Sequence, residues 1–329
     1  MLLINGLDDL SNATIVGISN GVQFSYTGNI DLMGDLGHPN LSVSQLLLGC
    51  LREAPIKMAM PAVIFNCIAD PDSHGRSLDR ASELLEQARV PVLNRPQNVR
   101  KTTRDNIYRL LHNTPGLVVP RTVRLAPRRL SDIRAAMADG DIGMPFLIRP
   151  AGQHGGAGLL RVDSESDLGQ LERFAFDGRG YYLTEFVDFR SPDGLYRKYR
   201  LIMLDGRVYP RHLIASDHWN IHSRSRGTVM QNNLELMAQE QAFLDHPERH
   251  FKESVQQALA QIRRELELDY FGVDCGLNAD GDLVVFEINA CVNVIQRHQA
   301  PFGYLNAAVE RIRTGVIEMV LRRDRNRSA

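Results

Sequence analysis

Two short apolar runs near the end of the chain constrain it most. They read Phe271-Gly272-Val273-Asp274-Cys275-Gly276 and Val285-Phe286-Glu287-Ile288-Asn289, and Asn278-Ala279-Asp280-Gly281 lies between them. Alternate residues on a strand face opposite sides, and an Asp-Gly pair favours a tight turn, so the segment predicts a β-hairpin. Acids inside apolar strands are costly unless they are paired or bind something. Asp274 and Glu287 stand 13 residues apart across the turn, and Asn289 shares the face of Glu287. Two carboxylates and one amide on paired strands form an oxygen-rich site suited to a hard cation such as Mg2+. An amphipathic hairpin with outward polar residues is the plainer alternative.

Length and charge bound the rest. The 329 residues allow about two or three domains and a core that folds without disulfide or metal staples. Apolar residues make up 43% and charged residues 23%, an ordinary globular balance. The net charge of −1 lacks the cation surplus that nucleic-acid binding uses, so no nucleic-acid partner is expected. No apolar run approaches the roughly 20 residues that span a bilayer, and the start Met1-Leu2-Leu3-Ile4-Asn5 lacks a basic leader pattern. Cys50, Cys67, Cys275 and Cys291 are scattered, which fits reduced thiols in a cytoplasmic protein with no membrane attachment. The average conceals a local excess. Nine cations and a single acid, Asp105, lie between Arg95 and Arg129. This is either a solvated basic face or a site for an anionic ligand such as a polyphosphate.

The first 95 residues mix strand-like runs with helical periodicity. The runs are Ala13 to Ile18, Ala62 to Phe65 and Val90 to Leu93; the helical stretches are Ser42 to Arg52 and Ser77 to Ala88, with Ser42 and Ser77 as N-caps. A small α/β domain is expected over 1–95, with two lobes over 96–184 and 185–329. In the first lobe, Phe146 to Pro150 runs into a glycine-rich loop, Gly152-Gln153-His154-Gly155-Gly156-Ala157-Gly158, and returns at Leu159 to Val162. The P-loop pattern is missing and no helix follows the glycines at once, so neither a P-loop nor a dinucleotide fold is favoured. In the second lobe, Tyr199 to Leu204 and Val208 to Ile214 predict a hairpin, and Asp217 to Asn233 is irregular.

The order of parts is informative. A basic helical region precedes a strand ending in Arg149 and the glycine loop. Thr184-Glu185-Phe186-Val187 follows, then a hairpin with Lys198, Arg200 and Arg211, then the acidic hairpin. Over about residues 90–325 this resembles the ATP-grasp superfamily, in particular its glutathione-synthetase-like branch, with D-alanine–D-alanine ligase and the ribosomal-protein glutamate ligase. Gly194 to Arg200 and Ser216 to His222 are similar to a subgroup often joined to helical repeats. The resemblance implies an α/β fold with α+β lobes behind a small α/β domain. It also implies ATP and two Mg2+ ions, with Mn2+ as a substitute.

Residue by residue, the resemblance implies the following. Backbone groups of Glu185, Phe186 and Val187 hold adenine, and Asp188 or Asp193 meets the ribose. Arg149 stands where the family usually has Lys, on the α- and β-phosphates; a guanidinium fork differs there from an ammonium. Gly152, His154, Gly155 and Gly156 close over the phosphates. An earlier family Lys falls at Asn106, and Arg104 or Lys101 replaces its charge. Lys198 joins the nucleotide site, and Arg200 and Arg211 act catalytically on the γ-phosphate or an acyl phosphate. Asp274, Glu287 and Asn289 hold the metal. Two departures stand out. Cys291-Val292 replaces a Pro-Gly, and Gly272 takes the place of an Arg.

The implied activity is ATP-dependent carboxylate–amine ligation, less readily carboxylate–thiol, on a small acid, amino acid or peptide. A non-catalytic ATP-binding regulatory module and a kinase of the same fold are the alternatives. A homo-oligomer is compatible with either. His212, His218 and His222 with Trp219 are candidates for an acceptor pocket, and the cations Arg190, Arg197, Arg224 and Arg226 for an anionic substrate or peptide, or equally for a solvated surface. Cys275 is expected in the core.

Overall fold

The computed structural model describes residues 1–18, 21–32, 36–49, 60–153, 155–156, 158–290 and 292–328. Strand β1 (Leu2–Gly6) precedes a separate antiparallel hairpin of β2 (Thr14–Ile18) and β3 (Gly21–Ser25). Then β4 (Ser44–Leu48), β5 (Ile64–Asn66) and β6 (Val92–Leu93) join β1 in a parallel sheet of order β4-β1-β5-β6. Parallel neighbours need a crossover, and the helix Gly75–Glu86 supplies it between β5 and β6. All five residues of β1 are buried.

Two expectations change here. Ser42 to Arg52 does not begin as a helix: β4 runs in register with β1, and residues 50–52 lie outside the described ones. A short apolar run such as Leu46-Leu47-Leu48 suits either state, and only the neighbouring strand decides. Ser77 is no cap. It sits inside the helix and donates to the Leu7 carbonyl at 2.6 Å. Asp9, from the loop after β1, serves the helix start instead. Its carboxylate accepts from the amides of Gly75 (3.2 Å) and Arg76 (2.9 Å).

β7 (Leu117–Val118) leaves this region for a later sheet. β8 (Thr122–Leu125), β9 (Phe146–Pro150), β10 (Leu160–Val162) and β11 (Tyr181–Glu185) form an antiparallel sheet of order β10-β9-β11-β8, with the glycine loop at the β9–β10 tip. Its own core gathers Ile133, Phe146, Ile148, Leu168, Leu171 and Leu183.

The last sheet contains β12 (Tyr196–Leu204), β13 (Arg207–Ser216), β14 (Tyr270–Leu277) and β15 (Leu283–Asn289), in the order β13-β12-β14-β15-β7. The β12–β13 turn has positive φ at Asp205 (46°) and Gly206 (83°), as a two-residue hairpin needs to match strand twist. The core of this sheet is continuous with that of the first. Phe65 meets Tyr270 edge to face at 6.2 Å. Asn94 joins them at φ 51°, a left-handed conformation that Asn tolerates. Its side-chain oxygen accepts from the amides of Asp269 and Tyr270, both at 2.9 Å, and its Nδ2 donates to the Tyr270 carbonyl at 2.7 Å.

The basic segment is not one anion site. Arg100 pairs with Asp79 (2.5 Å), Lys101 with Glu267 (2.8 Å), Arg121 with Asp141 (3.1 Å) and Arg124 with Asp72 (2.7 Å). Acids distant in sequence neutralise it, and Arg104 is the member that turns to the cleft described next. Among the described residues no helix is long and apolar enough to cross a membrane.

Candidate functional site

Strand pairing sets four polar residues in a row. His212 pairs with Arg200, Arg200 with Asp274, and Asp274 with Glu287, one from each of β13, β12, β14 and β15. Directly opposed residues share a face, and alternation along the strands adds Lys198 and Asn289 to it. A register shift at Arg200/Leu201 leaves Arg211 without a partner on β12, and a second lies at Asp274/Cys275. Such bulges re-aim side chains.

The row is strongly charged. Arg200 grips Asp274 at two points, Nε to Oδ1 at 2.5 Å and a terminal nitrogen to Oδ2 at 2.6 Å; Lys198 Nζ is 3.4 Å from Oδ2. Burial alone would raise the Asp274 pKa, but Arg200 and Lys198 outweigh it and hold the carboxyl below its usual range. Burial likewise opposes the charge on Arg200, and Asp274 more than offsets this. Arg104, at the start of the helix Arg104–Leu111, lies 3.0 Å from Glu287 and donates to the Phe286 carbonyl at 2.7 Å. Arg149 on β9 is buried. Burial first, then Arg104, brings it down to about 10, so it stays charged at neutral pH. Its Nε has no hydrogen-bond partner among the described residues, and another nitrogen donates to the Gln153 carbonyl.

These groups line a cavity of about 590 Å3. Arg104, Arg149, Lys198, Arg200, Asp274, Glu287 and Asn289 form its charged wall, and Leu147, Leu159, Phe186, Val187, Phe189, Trp219 and Phe286 its apolar one. Trp219 meets Phe186 edge to face at 5.7 Å, and the Arg161 guanidinium lies 3.9 Å above the Phe186 ring. Gly155, Gly156 and Glu185 also line the cavity. Gly152 lines a small neighbouring pocket with Asp70, Asp72 and Arg149.

Other expected residues are placed elsewhere. Arg211 is not among the lining residues. From the bulge its Nε donates to the Val294 carbonyl (2.9 Å) and a terminal nitrogen meets His298 Nε2 (2.9 Å), so it holds the segment after β15. Asp193 is gripped by Arg197 at 2.9 and 2.6 Å, which lowers its pKa to about 2. Asp188 accepts from the Arg190 amide at 3.0 Å, within its own turn, and lies outside the lining too. Of the two replacements considered for the family's earlier lysine, Arg104 is at the cavity. Arg226 is not among the lining residues: it is buried on Glu240. Of the three histidines His222 lines the cavity, and His212 ends the polar row. Cys275 is buried, as expected. His154 and Cys291 lie outside the described residues.

Sequence reasoning missed one lip of the cavity, formed by Tyr26, Thr27, Gly28, Asn29 and Asn293. Its signal is turn chemistry: Gly28 has φ 70°, and a Cβ there would lie 2.2 Å from the His74 ring.

Two carboxylates and an amide are hard oxygen donors. Among the described residues no three His, Cys, Asp or Glu side chains form a complete metal cage. That set fits Mg2+, which takes few protein ligands and fills its shell with water and phosphate oxygens.

No family model matches the sequence, and no curated protein does. Solved structures do match. A RimK-domain ATP-grasp protein from Sphaerobacter thermophilus has a TM-score of 0.50 at 17% identity, over 85% of this chain and 89% of that one. D-alanyl-alanine synthetase A from Vibrio cholerae has a TM-score of 0.50 at 16% identity, over 80% and 76%. VanG D-Ala:D-Ser ligase from Enterococcus faecalis has 0.50 at 13%, over 82% and 74%. At these identities the likeness is one of architecture, and it agrees with the glycine-tipped hairpin and acidic hairpin already described: the chain has the ATP-grasp fold.

Proposed function

We propose that the chain is an ATP-dependent ligase that joins a carboxylate to an amine through an acyl phosphate. One observation carries the reading. Asp274, Glu287 and Asn289 line one cavity with four cations and with the rings of Phe186, Phe189, Trp219 and Phe286. Fold neighbours named as D-alanine ligases support the reaction class. In this reading 1–95, 96–184 and 185–329 act as a lead domain and two lobes of a nucleotide clamp.

The apolar wall takes adenine, with the backbone of Glu185, Phe186 and Val187 beside it. Amides of Gly155 and Gly156 face the phosphates. Arg149 meets a phosphate oxygen with the Nε that has no acceptor among the described residues. Asp274, Glu287 and Asn289 would hold Mg2+, which supplies charge neutralisation of the triphosphate. The substrate carboxylate attacks the γ-phosphorus, and the bond to the ADP oxygen breaks. Both partners are anionic, so Arg149, Lys198 and Arg200 lower the barrier by neutralising charge. The amine then attacks the acyl carbonyl, phosphate leaves with the bonding electrons, and the amine loses a proton.

The test is ADP release across a panel of amino acids and small peptides, with products read by mass spectrometry. A condensed product, ADP and free phosphate are expected only with the right acid and amine together. Glu287→Ala should cut release by about 100-fold or more while the protein stays folded; undiminished turnover would remove Glu287 from the site. An accumulating phosphorylated product would replace ligase with kinase. ATP binding without turnover across the panel would leave a binding module.

A further inference from the structure

The carboxylates offered to a divalent cation already hold cations. Asp274 accepts from Arg200 at both oxygens, 2.5 and 2.6 Å, with Lys198 at 3.4 Å. Arg104 lies 3.0 Å from Glu287. With Arg149, four cations line the cavity against three carboxylates, Asp274, Glu287 and Glu185. A bare divalent ion arriving there meets net positive charge. It must also displace a two-point guanidinium–carboxylate pair, among the stronger polar contacts in proteins. A polyphosphate changes both conditions. Its oxygens accept a guanidinium fork as well as a carboxylate does, and its charge reverses the sign of the wall.

We propose that Arg200, backed by Lys198, masks Asp274 while Arg104 masks Glu287, so that a divalent metal gains these carboxylates only together with a polyphosphate that draws the cations away. The proposal rests on the ATP-clamp reading and assigns its regulation. Metal and nucleotide bind as a coupled pair, and by linkage each raises the affinity of the other by one factor. The row geometry suits the exchange. Arg200 stands directly opposite Asp274 on a paired strand, so unmasking needs side-chain rotation and leaves the β12–β14 ladder intact. Glu287 stands directly opposite Asp274 on the other side, so the two carboxylates are released next to each other.

The test titrates the full chain with Mn2+, reading free Mn2+ by electron paramagnetic resonance. It is done alone and with saturating AMP-PNP, correcting for the Mn2+–AMP-PNP complex. The wild type should hold Mn2+ at least about tenfold more weakly without the nucleotide. Arg200→Gln should tighten Mn2+ binding by about tenfold in the absence of any anion, and adding Asp274→Asn should abolish that gain. Arg200→Lys keeps a charge on the buried carboxylate and serves if the glutamine variant does not fold; its gain is smaller and of the same sign. Tight, Asp274-dependent Mn2+ binding by the wild type alone overturns the proposal. So does the absence of a gain in a folded Arg200 variant. Failure to bind AMP-PNP would count against the ATP reading instead. The masking is then decided by the anion-free variants and by tripolyphosphate in place of the nucleotide.

Discussion

Gly156 has φ 76°, and a Cβ built on it would lie 2.0 Å from Cε1 of His222. Backbone strain and contact therefore both disfavour a side chain. The left-handed conformation costs a non-glycine residue about 1–2 kcal/mol, and the ring contact adds to it. The position joins the glycine loop to the segment that carries Trp219, so any movement there reaches the cavity. Trp219 is the only tryptophan in the chain and lines the cavity, so its fluorescence reports occupancy directly. Gly156→Ala should weaken AMP-PNP binding by about tenfold and lower the melting temperature by about a few degrees. His222→Ala in the same chain should recover part of the loss; unchanged affinity in Gly156→Ala would show that the contact does not matter. At this scale the placing of Asp274 and Glu287 together at the cavity was legible because charge inside apolar strands is rare. Arg211, Asp188 and Asp193 were not, because a bulge and two local partners decide where they point.

The elements around the site are held by a buried carboxylate that no motif announced. Glu240, on the helix Leu234–Asp245, is fully buried. It accepts from the Leu213 amide (3.0 Å), from Tyr304 Oη (2.6 Å) and from two nitrogens of Arg226. One carboxylate thus joins β13, the turn at Arg226, its own helix and the turn at Phe302–Leu305 that follows β15. The Arg226 guanidinium also lies 5.2 Å from the Phe302 ring centroid. Removing one member of a buried ion pair leaves an unpaired charge and costs about 3–5 kcal/mol, whereas replacing both with apolar groups is often near neutral. Arg226→Met should therefore destabilise strongly in urea unfolding, and Arg226→Met with Glu240→Leu should recover part of the loss, the remainder reflecting the Leu213 amide and Tyr304 hydroxyl left without their acceptor. Additive losses would mean that the pair is not coupled. The same scale explains the error at Ser42 to Arg52. Leu46-Leu47-Leu48 carries no local information about β1, and the choice between helix and strand was made by that distant partner.

Across the whole molecule, cohesion does not follow the order of the chain. The first sheet and the last share one core, from Leu3 and Phe65 through Phe271 and Val273 to Ile312, and Asn94 fixes the junction. The middle sheet keeps its own core around Phe146 and Leu183. It reaches the first sheet through Asp72, which accepts from Tyr182 Oη at 2.8 and 2.9 Å and from Arg124 at 2.7 Å. The succession of strand, glycine loop and acidic hairpin was legible because each part is local. The fusion of residues 1–95 with the last lobe was not, since contacts that far apart in sequence leave no periodicity. Residues with a common core open together, and those with a separate core open apart. Hydrogen exchange in mild denaturant should therefore protect β1, β5 and β14 to the same free energy, while β9 and β11 exchange at a lower one. Nucleotide should act mainly on the second group, because a ligand held between two units stabilises their joint state and the middle sheet has the weaker attachment to lose. Substituting Asp72 by Asn should lower the protection of β9 and β11 and leave β1 and β14 unchanged. If β1 instead exchanged apart from β14, the shared core would not be a cooperative unit, and the lead segment would have to be treated as a domain of its own.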